Sequence, residues 1–253
     1  MFNQGNNFLS MLPPATKNLL IINVLVWLAY LVLLRSEIDL GRSFALYYPA
    51  SANFGIWQFV TYMFLHGSWG HIFLNMFGLF MFGRTMEMVW GTKRFLIFYF
   101  VTGIGAGLIH LLVTFIRIQI LEASMSPEMI QMAYEYGAVG VRLINFAAPA
   151  QPLNLLINTP AVGASGAIFG ILVAFAVWFP NEPLYLMFVP VPIKAKYLVI
   201  GMVVISLFFG FANLPRDPIA HFAHLGGMLF GILMILYWRK TDKKRNNYEH
   251  YYR

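Results

Sequence analysis

Apolar residues in this chain occur in long unbroken runs, not at the spacing of an amphipathic surface helix. Six runs read as membrane-spanning helices: residues 18–34, a second from 69 to past 83, then 95–116, 161–179, 197 to about 212, and 218–238. The second and fifth are short for a bilayer that takes about twenty apolar residues, which protein-covered helices can tolerate. The pattern predicts an all-α membrane protein folded as a six-helix bundle. Residues 1–17 form an N-terminal segment, 18–238 the membrane domain and 239–253 a basic tail. The first run is longer than the apolar core of a signal peptide and no small-residue cleavage site follows it, so it is read as a span that is kept.

Between the runs, Lys and Arg set the orientation. An even number of spans puts both ends on one side. That side receives Lys17, Arg84, Lys93, Arg94, Lys194, Lys196 and six tail residues, twelve in all, against Arg35, Arg42, Arg117, Arg142 and Arg216 on the other. Twelve against five predicts cytoplasmic N- and C-termini. Even-numbered helices then begin at the outer face.

Composition agrees. Of 253 residues 59% are hydrophobic and 11% charged, where a soluble domain carries about 25% charged. The net charge of +7 gathers in the tail, from Arg239 to Arg253. A basic run directly after an apolar helix reads as an anchor against anionic lipid headgroups, and not as a nucleic-acid site. The absence of cysteine removes disulfides, a thiol nucleophile and thiolate metal ligands.

Two loops on the outer side are long. Residues 35–67 carry Pro49, Gly55, Tyr47, Tyr48, Ile56 and Trp57, which suits a loop dipping into the interface. Residues 117–160 hold a helix signal, with Ser126 as cap, Pro127 at the first position, Glu128 in the first turn and Gly137 as stop.

Polar residues inside spans are costly and point to function. Three clusters open even-numbered helices: His66 to Asn75, Gly163 to Ala167 with Ser165 at its centre, and His221 to Gly227. The charge count that places them in one layer knows nothing of their chemistry. A serine hydroxyl needs a base to become a nucleophile, and a neutral imidazole suits that role. Ser165 and His224, about four and six residues into their helices, can face each other. Gly163 and Gly166 remove bulk beside the serine. The repeats Gly166-x-x-x-Gly170 and Gly227-x-x-x-Gly231 let their helices pack backbone to backbone. His71 and Asn75 share a helix face and, with the Ser165 N–H, supply donors for an oxyanion. No carboxylate is placed to orient His224, since Asp217 lies seven residues earlier, so a Ser/His dyad is expected.

Each feature also has a plainer reading. Small residues in a membrane helix are often packing surface, Asn75 can bridge helices, and His66 and His221 read as hydrogen-bonded structural groups. His110, in mid-span, reads as bonded to a neighbouring helix. Five polar groups at one depth on three helices favour a hydrolytic site.

At these residues the chain resembles the rhomboid intramembrane serine proteases. The matching stretches are the run from Trp57 to His66, His71-x-x-x-Asn75, Gly83-x-x-x-Glu87, Gly163-Ala-Ser165-Gly166 and Ala223-His224-Leu-Gly-Gly227-x-x-x-Gly231. The resemblance implies six helices, an outward-opening wet cavity, Ser165 as nucleophile, His224 as base, and His71 and Asn75 as oxyanion donors. His66 then neighbours the site, and Glu87 is a structural hydrogen-bonding group near the cytoplasmic side. Two positions depart from the family pattern: Gln58 follows Trp57 where an arginine is common, and Phe169 stands where many relatives carry tyrosine packed on the base.

The expected activity is cleavage of single-span membrane proteins near the outer interface, without cofactor or metal, in a bilayer such as a bacterial inner membrane. Because a helix hides its peptide bonds, small or helix-breaking residues are expected at the cut. Entry is expected past the short fifth helix. Two rivals are a zinc site on His66, His71, His221 and His224, and a pseudoprotease that binds membrane clients without cutting them.

Overall fold

The computed structural model describes residues 12–140, 142, 150–185, 191–212 and 221–251, with the side chains of 243–251 set aside. Helix α1 spans Pro14–Arg35. Its first N–H groups have no helical partners, and a carboxylate from elsewhere in the chain caps them. Glu87 Oε1 accepts from Ala15 N at 2.9 Å, and Oε2 from Thr16 N and Thr16 Oγ1 at 2.7 Å. Thr92 Oγ1 donates to Oε1 at 2.8 Å. Buried Glu87 thus ties α1 to the start of α6, in the structural role that the family resemblance implied.

Helices α2 (Leu40–Phe44) and α3 (Gln58–Thr61) lie in the first long loop. Fully buried Gln58 organises it. Its amide oxygen accepts from Tyr47 N, and its amide nitrogen donates to the carbonyls of Asn53 and Ser43. Helix α4 (Trp69–Gly78), a π-helical turn (Leu79–Gly83) and α5 (Arg84–Trp90) run on as one apolar stretch. Helix α6 covers Thr92–Glu122.

The second long loop folds on itself. Helix α7 (Pro127–Ala138) begins as its cap signal predicts, with Ser126 Oγ accepting from Met129 N, and ends one residue past Gly137. With α8 (Gln151–Asn158) it builds a small separate core of Ile118, Ala133, Ala150, Leu153 and Ile157. Tyr134 Oη donates to Glu122 at 2.7 Å beside it.

Helix α9 is Ser165–Trp178. A two-residue pair follows, β1 (Pro183–Leu184) antiparallel to β2 (Ile193–Lys194), then α10 (Ala195–Ala212) and α11 (His221–Tyr251).

Among the described residues five helical stretches are long and apolar enough to cross a membrane: Pro14–Arg35, Trp69–Trp90, Thr92–Glu122, Ala195–Ala212 and His221–Asp242. The expected fourth span, 161–179, differs. Its helix has only 14 residues, about 21 Å at 1.5 Å per residue, against a hydrocarbon core of about 30 Å. Ten of those residues are buried, and α6, α10 and α11 pack around them. A helix wrapped in protein has no need to match the lipid thickness.

The last helix also departs from expectation. It passes the 238/239 boundary and continues to Tyr251, because no glycine or proline interrupts that stretch. Arg216, Asp217 and Pro218, and the side chains of the tail lysines and arginines after Lys240, lie outside the described residues.

Candidate active site

The approach to Ser165 is extended. Leu46 and Ala161 form an antiparallel bridge, exchanging N–H···O bonds of 2.9 Å in both directions. Gly163 N then donates to Tyr62 O at 2.9 Å. Gly163 itself has φ +121°, and a Cβ there would lie 2.7 Å from His71 Nε2. Only glycine fits both the backbone and the imidazole. Ala164 supplies no side-chain cap, so α9 opens at Ser165 with its first N–H groups lacking helical partners.

Ser165 is therefore the first residue of its helix, nearer the helix end than the apolar run suggested, and His224 lies three residues after His221, the first described residue of α11. Ser165 Oγ and His224 Nε2 lie 2.9 Å apart. The Phe169 ring, one turn below Ser165, stacks flat on the imidazole, with centroids 4.0 Å apart and planes at 9°. Among the described residues no carboxylate bonds the other ring nitrogen.

Glycines make this approach possible. A Cβ on Gly227 would lie 1.9 Å from Gly166 O, and one on Gly170 3.0 Å from Gly227 O. The two small-xxx-small repeats do interlock, as their spacing predicted. Gly166 serves packing more than substrate access, because its own missing Cβ faces Ala106 Cβ at 2.4 Å.

His71 and Asn75 lie one turn apart on α4, and His71 Nε2 and Ser165 Oγ both flank the position of a Cβ on Gly163, at 2.7 and 3.7 Å. Gly67 N donates to His71 Nδ1 at 3.3 Å, which leaves the ring proton on Nε2, the nitrogen that faces Gly163. Asn75 Nδ2 gives one N–H to His71 O at 2.8 Å and retains a second. His66 is buried with its ring centroid 5.1 Å from that of His71. Burial and the neighbouring His71 push its pKa down to about 3, so it is a neutral packing group. His221 stacks on Phe209 at 5.6 Å and lies 6.3 Å from His224.

Residues 53–241, three quarters of the chain, match the Rhomboid domain family. The chain belongs to the rhomboid family. It is 27% identical to "Rhomboid-like protease 3" of Toxoplasma gondii over 202 residues, 78% of this chain and 57% of that protein. It is 24% identical to "Putative rhomboid protease YdcA" of Bacillus subtilis over 240 residues, 93% and 96% of the two chains. To "Rhomboid protein 1, mitochondrial" of Saccharomyces cerevisiae it is 26% identical over 182 residues, 72% and 42%. The chain thus spans about half the length of the Toxoplasma and yeast relatives.

Other parts of this rhomboid carry the site without announcing themselves in sequence. Tyr62 holds Gly163 through its carbonyl, while its hydroxyl donates to Gly103 O at 2.6 Å. Gly103 and Gly105 on α6 admit Met63 and the Phe230 ring at distances no Cβ would permit. Their alternating spacing in the third apolar run was the available signal. His110 behaves otherwise than expected: its ring makes no hydrogen bond among the described residues, and only its carbonyl accepts, from Thr114. The four histidines proposed for zinc do not assemble either, since no group of three His, Asp or Glu among the described residues could hold a metal ion.

Proposed function

We propose that this rhomboid is an intramembrane serine endopeptidase that cleaves membrane-anchored proteins with Ser165 as nucleophile and His224 as general base. The 2.9 Å contact between Ser165 Oγ and His224 Nε2 carries the reading. His224 takes the hydroxyl proton as Oγ attacks a substrate carbonyl. The resulting oxyanion receives hydrogen bonds from His71 Nε2–H, the second N–H of Asn75 and the Ser165 backbone N–H, and the positive end of α9 adds to them. Collapse breaks the C–N bond, and His224 returns its proton to the leaving amine. Water then attacks the acyl-enzyme, and the same base restores the serine. Each oxyanion donor is worth about 3–4 kcal/mol. With no carboxylate partner on His224 among the described residues, these donors and the Phe169 stack hold the chemistry together.

In this reading six segments cross the bilayer, the short α9 among them, with both termini cytoplasmic and the 18–238 bundle followed by a basic anchor. Ser165 then sits below the outer face, where single-span substrates are cut at locally unwound positions. A bacterial inner membrane suits this arrangement.

The test is Ser165→Ala and, separately, His224→Ala in detergent-purified protein. Both are expected to abolish cleavage of a model transmembrane substrate, and only the wild type is expected to be labelled by a fluorophosphonate at residue 165. Near-wild-type cleavage by either variant overturns the proposal.

A further inference from the structure

At the end of the bundle opposite Ser165, three indoles form a contiguous cluster. Trp90 stands edge-on to Trp178 and to Trp238, each with ring centroids 5.3 Å away. A guanidinium caps each flank: Arg94 lies 5.4 Å from the Trp238 ring centre, and Arg239 lies 5.7 Å from that of Trp178. These residues and Asp242 line one open-sided cavity of about 650 Å³.

Interfacial tryptophans usually turn outward to the headgroups. Here Trp238 is only 9% exposed, and the buried Trp90 Nε1 has no hydrogen-bond partner among the described residues. The charges of the lining point to the sign of a ligand. Arg94 is held by a bidentate pair with Asp242, Nη1 to Oδ2 at 2.9 Å and Nη2 to Oδ1 at 2.5 Å. Arg239 has no hydrogen-bonded or ion-paired partner among the described residues, so the lining carries one uncompensated positive charge. The guanidinium is a forked donor that suits a tetrahedral oxyanion.

We infer that this cavity binds a phosphate group, free or as the phosphodiester of a lipid headgroup, with Arg239 as its principal charge partner, Arg94 as a second and the indoles as its walls. It opens at the end of the helices where Lys93 and Lys240, next to Arg94 and Arg239, are exposed. An anionic lipid headgroup can enter from the bilayer edge there, and a free phosphate from water. The inference does not rest on the Ser165–His224 reading, and its test reads binding only.

The experiment uses the full chain in nanodiscs of phosphatidylcholine doped with phosphatidylglycerol. Retained lipid is counted by native mass spectrometry, and tryptophan fluorescence is titrated in parallel with inorganic phosphate. Wild type and Lys240→Gln are expected to retain phosphatidylglycerol alike. Arg239→Gln is expected to lose about tenfold in retention, within the range of a charge-assisted pair. Arg94→Lys, which keeps the charge and the Asp242 partner but loses the fork, is expected to fall in between. A fluorescence response to inorganic phosphate that is abolished in Arg239→Gln, with lipid retention equal in all variants, assigns the site to a soluble phosphate. Equal retention together with no Arg239-dependent response to phosphate overturns the inference. Thermal melting in pure phosphatidylcholine separates loss of binding from loss of folding.

Discussion

Gly227 and Gly166 touch backbone to backbone: a single carbon added to Gly227 would sit 1.9 Å from the Gly166 carbonyl oxygen. Gly166 is one residue after Ser165, and Gly227 three after His224. The spacing of α9 and α11 and the 2.9 Å gap between hydroxyl and imidazole are therefore one geometric fact. Gly227→Ala has no flexible side chain to displace, so the helices must part, at a cost of about 1–3 kcal/mol for overpacking. The expected outcome is a lowered melting temperature with a much larger loss of fluorophosphonate labelling at Ser165. Gly231→Ala, whose Cβ would meet Gly170 at 3.2 Å, is expected to be milder on both counts. Labelling of Gly227→Ala at the wild-type rate would show that the pair does not set the gap.

The Phe169 ring confines the base on one face. Aromatic stacking contributes about 0.5–1.5 kcal/mol beyond burial. Phe169→Ala is expected to lower kcat by about tenfold, equivalent to 1.4 kcal/mol of barrier, with KM for a model substrate little changed. Phe169→Tyr keeps the ring and is expected to stay within about twofold, since the stack alone holds the imidazole. A kcat unaffected by the alanine variant would mean that His224 is held by something else.

The sequence made the three polar clusters, the interlocking glycines and the α7 cap legible, because each depends on spacing within a few residues. It misjudged the start of α9. Ala161, Val162 and Gly163 are apolar and extend the hydrophobic run, yet they are extended backbone, fixed by Leu46 and Tyr62 from a loop a hundred residues away. No local pattern reports such a pairing. Tyr62 was missed for a similar reason: an aromatic residue in an apolar stretch looks the same whether it faces lipid or holds a turn. Gln58 departs from the family pattern, but its role in tying Tyr47, Asn53 and Ser43 together emerges only when the loop is closed. The length of α9 could not be inferred from a lipid-thickness rule that applies to helices touching lipid.

Glu87 is 2% exposed and accepts four hydrogen bonds. Removing it strands the Ala15 and Thr16 N–H groups, and a buried donor left unpaired costs about 1–3 kcal/mol. Glu87→Ala is expected to lower the melting temperature clearly, and Glu87→Gln by less because the amide oxygen still accepts. Both are expected to label normally at Ser165 well below the transition, since the carboxylate lies at the end of the bundle away from the serine. A labelling defect in the glutamine variant at low temperature would place Glu87 in communication with the active site.

Helix α10 is the least enclosed of the long helices around α9, with only Ala195, Ser206 and Gly210 buried. Its last turn is held by Arg117 of α6. The guanidinium donates from Nη2 to Gly210 O at 2.9 Å and lies 5.6 Å from the Phe222 ring centre of α11. Gly210 permits the close approach, because a Cβ there would meet Phe222 at 3.0 Å. A hydrogen bond from a charged donor contributes about 1.5–3 kcal/mol, enough to decide how often a lightly packed helix end lifts away. Arg117→Ala is expected to raise amide hydrogen exchange over residues 206–212 by at least about tenfold, the lower end of that energy, while exchange in α9 stays unchanged. If α10 guards the path of a membrane-embedded substrate, the same variant cleaves a transmembrane substrate faster and a short soluble peptide at the wild-type rate. Unchanged exchange over 206–212 would show that Arg117 does not hold the helix closed.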